Sequence, residues 1–225
     1  MKSNYPESLG LQAVATSRLV TAAAVSQMRQ SRTPRPTDFP TSLPPELQEV
    51  LVGCTLGDLS ILRGKRSDNA RLQFWQGIVN AEYLMHLYSL FESYCGSAPK
   101  VYTRHSGKAN VYFNTLTSPV FTEFNSLFYL DGVKHVPANI GELLTARSLA
   151  YWAMDDGCSH HTGFYLCTDS FAYQEVKLLS LALQSNFGLD CTVQKYHNVH
   201  RIYICARSIL WSASGLWFGL TSILL

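Results

Sequence analysis

Two stretches decide how this chain reads: LVGCTLGDLS, Leu51–Ser60, and LAYWAMDDGC, Leu149–Cys158. Each is an apolar run that closes on aspartate beside glycine, Gly57-Asp58 in the first and Asp155-Asp156-Gly157 in the second. A surface helix keeps one polar face, and neither run has one. An aspartate at the C-terminal end of a helix also opposes the macrodipole. A lone one would read as an ordinary helix end; two at equivalent places in a chain that repeats itself point to function.

If the two helices pack together, the small residues Gly53 and Ala150 let their backbones approach, and Asp58 and Asp156 meet at a pseudo-twofold axis. Two carboxylates at close quarters do not both ionise readily unless a cation lies between them. Hard divalent ions with oxygen ligands fit that demand, Mg2+ above all or Mn2+ in its place. Such ions activate water and stabilise the leaving oxygen in phosphodiester hydrolysis.

Outward from these runs the chain has an internal order. Pro34–Pro45 is an extended linker closing on a helix over about 45–57, with Pro45 and Glu46 in its first turn. Two short alternating runs around Ser67-Asp68-Asn69 read as a hairpin. Leu84, Leu87, Leu90 and Phe91 form a helical stripe ended by Gly96. A second hairpin turns at Ser106-Gly107, and VFTEFNSLFY, 120–129, returns to helical spacing. After Pro137 the order recurs: a helix over 141–157, the strand FYLCTDS, a helix over 173–188, then the hairpin CTVQKYH with RIYICAR. The expected fold is α+β, one αββαββα unit written twice: a leader over 1–44, a first repeat over 45–140 and a second over 141–225, atypical from about 208.

With 225 residues, 47% hydrophobic and 15% charged, the chain can bury a sizeable core, which excludes disorder of the whole. A net charge of +2 says little about a polyanionic partner. Six cysteines lie scattered with no CxxC pair, which reads as a reducing compartment without structural zinc. The pair His160-His161 has no further Cys or His at ligand spacing nearby. Residues 1–44 carry Arg18, Arg29, Arg32 and Arg35 against only Glu7 and Asp38, a pattern shared by transit peptides and by the remnant of an upstream exon. Their apolar stretch, Leu19–Val25, is too short to span a bilayer. Ser208–Leu225 is uncharged and approaches that length; its serines, threonine and glycines favour a buried terminal helix, so no membrane partner is expected.

LVGCTLGDL and LAYWAMDDG resemble the two copies of the LAGLIDADG motif, and RLQFWQ, KHVPANI and TDSFAYQEV are similar to the single-chain, two-motif, intron-encoded homing endonucleases. The resemblance covers about 44–208, and Leu59 stands where the first motif would close on glycine. It implies two antiparallel, saddle-shaped sheets around a central pair of motif helices, and a monomer that cuts both strands of double-stranded DNA. It makes Asp58 and Asp156 catalytic metal ligands, joined by the carbonyls of Gly57 and Asp155. It puts Gln73 near the active-site water and Lys134 beside the scissile phosphates, where a cation can polarise a nonbridging oxygen. The family's tail supplies a second lysine; SILWSASGLWFGLTSILL, after Arg207, has none, so the alternative is impaired cleavage of one strand.

Strand alternation puts Arg63 with Lys65 on one face, and Lys100 with Tyr102 and Arg104 on another that Lys108, Asn110, Tyr112 and Asn114 continue. In the second repeat Lys195 goes with His197, and Arg201 with Tyr203 and Arg207. With Arg71, these basic residues form the expected DNA-binding set: base reading in the major groove for some, phosphate contact for the rest. The same sheets suit host-intron RNA, so a maturase aiding splicing is the second reading and a DNA-binding relative without cleavage the third. An organelle, the mitochondrion or else a chloroplast, is the implied location.

Overall fold

Proline at the first turn starts helix α1, Pro45–Leu56, and Gly57 ends it by donating its N–H to Gly53 O and Cys54 O. In this computed structural model residues 39–64, 67–104, 107–160 and 163–208 are described. Lys65 and the tail beyond Ser208 therefore lie outside the described residues, as does nearly all of the leader. The architecture is α+β with antiparallel sheets. Element order repeats: α1, β1 (Ser60–Arg63), β2 (Ala70–Gly77), α2 (Ala81–Phe91), β3 (Lys100–Thr103) and β4 (Ala109–Asn114) form the first series. After α3 (Pro119–Phe128), β5 (Tyr129–Leu130), β6 (Val133–Lys134) and α4 (Ile140–Leu143), the second series is α5 (Ala146–Asp156), β7 (Gly157–His160), β8 (Gly163–Leu166), α6 (Tyr173–Phe187), β9 (Cys191–Tyr196) and β10 (Val199–Cys205).

The chain divides into two compact units. In the unit built on Arg71–Ser118, β4 lies between β2 and β3, both antiparallel to it. Phe74 and Phe113 stack at 4.5 Å, with Phe91 and Tyr88 of α2 against them. Thr115 fastens the start of β2: its hydroxyl accepts from Leu72 N–H at 2.9 Å and its own N–H donates to Leu72 O at 3.0 Å.

The other unit, Ser42–Ala70 with Pro119–Leu225, holds both motif helices and the sheet β7-β8-β10-β9. Its core gathers Val52 and Leu56 of α1, Leu149 and Trp152 of α5, Leu166 and Ile202 of the sheet, and Val176, Leu179 and Leu183 of α6. Burying residues of this size contributes about 1.5–3 kcal/mol each before entropy is counted. Helix α3 and the first residue of β5 satisfy backbone that would otherwise be unpaired: Asn125 Nδ2 donates to Ile61 O, Tyr129 Oη accepts from Ile61 N–H, and Thr122 Oγ1 accepts from Ala70 N–H.

The single helix expected over 141–157 is two. Leu144 adopts an extended ψ of 98°, α4 stops, and Thr145 caps α5 by accepting from Ser148 N–H while Ser148 Oγ accepts from Thr145 N–H. Asn186 Nδ2 supplies donors to the stranded carbonyls of Gly141 and Leu144. FYLCTDS gains a partner the sequence reading lacked, β7, whose four residues are all exposed. Strand β9 stops at Tyr196, and His197 turns the chain with a φ of 51°, so it has no strand face.

Candidate active site

Helices α1 and α5 pack with almost no space between their backbones. A Cβ on Gly53 would overlap the Ser148 carbonyl oxygen, and one on Gly57 would overlap the Asp155 side chain. This contact sets the two acidic helix ends side by side, as the small-residue argument anticipated for Gly53. Asp155 Oδ2 accepts from Asp58 N–H at 3.3 Å, so a carboxylate of one motif holds the backbone of the other. At the far end of the pair Arg147 bridges to Glu49 at 3.1 Å.

Asp156 shows the cost of that juxtaposition. Burial, then the charge of Asp58, push its carboxyl up to about 7, against the pull of Lys134 and Arg201. Lys134 is half-buried and donates Nζ to Gly57 O and Leu59 O, both at 2.9 Å. Burial lowers its pKa, while Asp156, Asp58 and Asp155 act to raise it. Its place comes from a tight hairpin: Asp131 and Gly132 both have positive φ, 51° and 80°, and pair β5 with β6 so that Lys134 sits opposite Tyr129. The Asp-Gly dipeptide is the sequence signal for this hairpin. Two residues on, Val136 N–H donates to Glu175 Oε1 at 2.9 Å and Ala172 N–H to Oε2 at 2.7 Å, tying the segment after Lys134 to the start of α6.

Among the described residues no group of three or more His, Cys, Asp or Glu side chains converges as a metal cluster. The donor set at the helix ends is a different kind: paired carboxylates beside peptide carbonyls. Mg2+ is characteristically held by one or two carboxylates and completed by water and substrate phosphate oxygens. The residues fit such an ion: two carboxylates, Asp58 and Asp156, stand beside the carbonyls of Gly57 and Asp155 at the joined helix ends.

Gln73 belongs to the other unit, where its amide donates to Asn114 Oδ1 at 3.1 Å. On its sheet, register aligns Gln73 with Asn114, Trp75 with Tyr112, Lys100 with Tyr112 and Tyr102 with Asn110, so these share a face. Trp75, a residue the sequence reading missed, stacks on Tyr112 at 4.6 Å and adds to the aromatic surface of this face. Arg63, Arg71, Lys100, Arg104 and Lys108 are exposed. In the second sheet Arg201 lies opposite Gln194, and Tyr203 opposite Thr192 and Tyr165. Lys195 pairs with His200 and falls on the other face, with Val193 and Ile202. Arg201 is held by Asp169, a residue the sequence reading missed, through Nε to Oδ1 at 2.7 Å and Nη2 to Oδ2 at 2.6 Å. Arg207 pairs with Asp190, and all six cysteines are free thiols.

Residues 48–211 match the LAGLIDADG DNA endonuclease family. The chain is similar to the cytochrome b mRNA maturase bI2 of Debaryomyces hansenii, 33% identical over 165 residues, 70% of this chain and 63% of that protein. It therefore spans under two thirds of that relative's length. With the probable intron-encoded endonuclease 1 of Wickerhamomyces canadensis it shares 32% identity over 177 residues, 73% of this chain and 75% of the relative. Among solved structures it is similar to the homing endonuclease I-WcaI bound to its DNA recognition sequence, with a TM-score of 0.72 and 30% identity over 77% of this chain and 81% of that one.

Proposed function

Because the chain belongs to the LAGLIDADG DNA endonuclease family, we propose that it is a site-specific endonuclease, using a divalent metal to break both strands of a long asymmetric DNA site in support of intron homing. The observation that carries this is the joining of the two acidic helix ends, with Asp58 N–H on Asp155 Oδ2 and Lys134 Nζ on Gly57 O and Leu59 O. Asp58 and Asp156, with the carbonyls of Gly57 and Asp155, are the proposed ligands of Mg2+ or Mn2+. When bound, the ion lowers the pKa of water and neutralises charge on the scissile phosphate. Lys134, fixed on Gly57 O and Leu59 O, offers its remaining proton toward a phosphate oxygen. Gln73 is proposed to orient water. Arg63, Lys65, Arg71, Lys100, Arg104, Lys108 and Arg201 are the proposed DNA contacts, most of them gripping phosphates; Lys195, on the sheet face of Val193 and Ile202, is left out of that set.

In this reading 45–140 and 141–225 are the two repeats of a monomer, each serving one strand, behind a leader of 1–44. The proposed location is the mitochondrion, with a chloroplast as the alternative organelle. The acid-poor, arginine-bearing leader and a relative named for the cytochrome b message support it. That same relative favours a second reading, an RNA maturase assisting its host intron. The two separate in one experiment: purified protein and Mg2+ are incubated with duplex DNA carrying the joined flanks of the host intron. Double-strand cleavage lost in Asp58→Asn and Asp156→Asn is the expected result. Absence of cleavage by the intact chain, or cleavage indifferent to both substitutions, overturns it. Splicing stimulated without Mg2+-dependent cleavage selects the maturase.

A further inference from the structure

Lys134 donates to the backbone of the first acidic helix end, at Gly57 O and Leu59 O, and its charge acts on both Asp156 and Asp58. The second end has a basic neighbour of another kind. Asp156 O accepts from Cys167 N–H at 2.9 Å, which fixes the strand returning from the β7-β8 hairpin against the end of α5. The next residue, Thr168, donates its hydroxyl to His200 O at 2.6 Å and so joins that segment to β10. The residues that follow on each side, Asp169 and Arg201, form the forked ion pair. Three consecutive links thus run from the Asp156 backbone to one guanidinium.

That guanidinium is pre-organised. Asp169 takes Nε and Nη2, and the Tyr196 ring lies 4.1 Å from the guanidinium carbon, covering its plane. The fork leaves Nη1 outside the pair. A planar cation whose orientation is already fixed loses little entropy when it binds a phosphate, and an arginine suits a phosphate oxygen better than a lysine does. A pair this ordered, with its charge already half-answered by Asp169, contributes direction more than general attraction to DNA.

We propose that Arg201, oriented by Asp169 and Tyr196, is the catalytic cation of the second half-site, donating through Nη1 to the scissile phosphate of the strand that Asp156 serves. The first half-site uses the Lys134 ammonium for the same task. The assignment rests on the endonuclease reading above. It gives a positioning role to Asp169, which does not touch DNA itself.

The experiment is single-turnover cleavage of a duplex with a different label on each strand, with Mg2+, in the full chain and in Arg201→Ala, Arg201→Lys and Asp169→Asn. DNA affinity is measured separately without Mg2+, and melting of each variant is followed. Arg201→Ala is expected to slow one strand about 100-fold and the other less than about twofold, so nicked duplex accumulates, while affinity falls only a few-fold. Asp169→Asn slows the same strand about tenfold, and Arg201→Lys recovers part of the Ala loss. Equal slowing of both strands, or a loss matched by affinity or by melting, overturns the assignment, since those mark a general DNA contact or a structural pair. If Arg201→Ala does not fold, Asp169→Asn decides by the same strand bias. Wild-type protein that cuts neither strand removes the endonuclease reading and the assignment together; wild-type cleavage with symmetric variants removes the assignment alone.

Discussion

Gly53 meets the Ser148 carbonyl across the α1–α5 contact with no space for a side chain: a Cβ there would come within 2.9 Å of the carbonyl carbon and overlap its oxygen. Both partners are helical backbone, so no rotamer change relieves the clash. Gly53→Ala is expected to destabilise the protein by about 1–3 kcal/mol or more, the range for overpacking a rigid contact. Widening the contact also moves Asp58 away from Asp155, whose Oδ2 holds its N–H. A lower denaturant midpoint together with slower cleavage is the predicted pair of results; an unchanged midpoint would show that the helices separate freely.

Asp156 sets a pH dependence of definite sign. Its folded pKa of about 7 lies above the ordinary 3.8, because burial and the Asp58 charge favour the neutral acid. Between those values the folded state binds more protons than the unfolded one. The stabilisation from this group is complete below about pH 4 and is lost as pH rises through 7. Metal-free protein should therefore melt lower at pH 8 than at pH 5, and Asp156→Asn should flatten that difference. Added Mg2+ should raise the melting temperature more at pH 8, because a carboxylate ligand must be ionised to bind it. A metal-free melting curve insensitive to Asp156→Asn in this window would count against the assigned environment.

Lys134 has two duties that Lys134→Met separates. Its Nζ donates to Gly57 O and Leu59 O, and the substitution leaves both carbonyls without that donor, at a cost of about 1–3 kcal/mol. As a cation aimed at charge that develops during cleavage, it should be worth about 10²–10³ in rate. Single-turnover cleavage at a temperature where the variant is fully folded isolates the second duty. A rate within a few-fold of wild type there would confine Lys134 to a structural role.

Much of the candidate site's geometry was legible because its signals are local. Asp58 and Asp156 stand at the ends of apolar runs, and Gly53 is a small residue where helices must touch. The break between α4 and α5 was hidden because apolar spacing runs through Leu143 and Leu144, and because the capping partner of Thr145 is Ser148 rather than the acidic residue that usually marks such a box. Strand β7 has no alternation to read, with all four residues exposed. Lys195 has the strand spacing of a groove-facing residue, and only the β9-β10 register shows that it shares a face with Val193. Asp169 lies 32 residues from Arg201, and nothing local marks their pairing.

Glu175 offers a test of how the second unit's frame supports chemistry it does not touch. Its two oxygens accept from Ala172 N–H at the start of α6 and from Val136 N–H, two residues after Lys134. A carboxylate there also favours the N-terminal dipole of α6. Glu175→Ala removes both acceptors and the charge, leaving Val136 N–H unpaired in a half-buried setting. The expected loss is about 1–3 kcal/mol of stability. Because β6 is only two residues long, releasing Val136 also frees Lys134 to shift, so cleavage should slow while DNA affinity holds. Glu175→Gln keeps one carbonyl oxygen and should recover the bond to one backbone N–H but not both, giving an intermediate rate. Hydrogen exchange at Val136 supplies the direct readout: faster exchange in Glu175→Ala with cleavage unchanged would separate the loop's order from the lysine's placement.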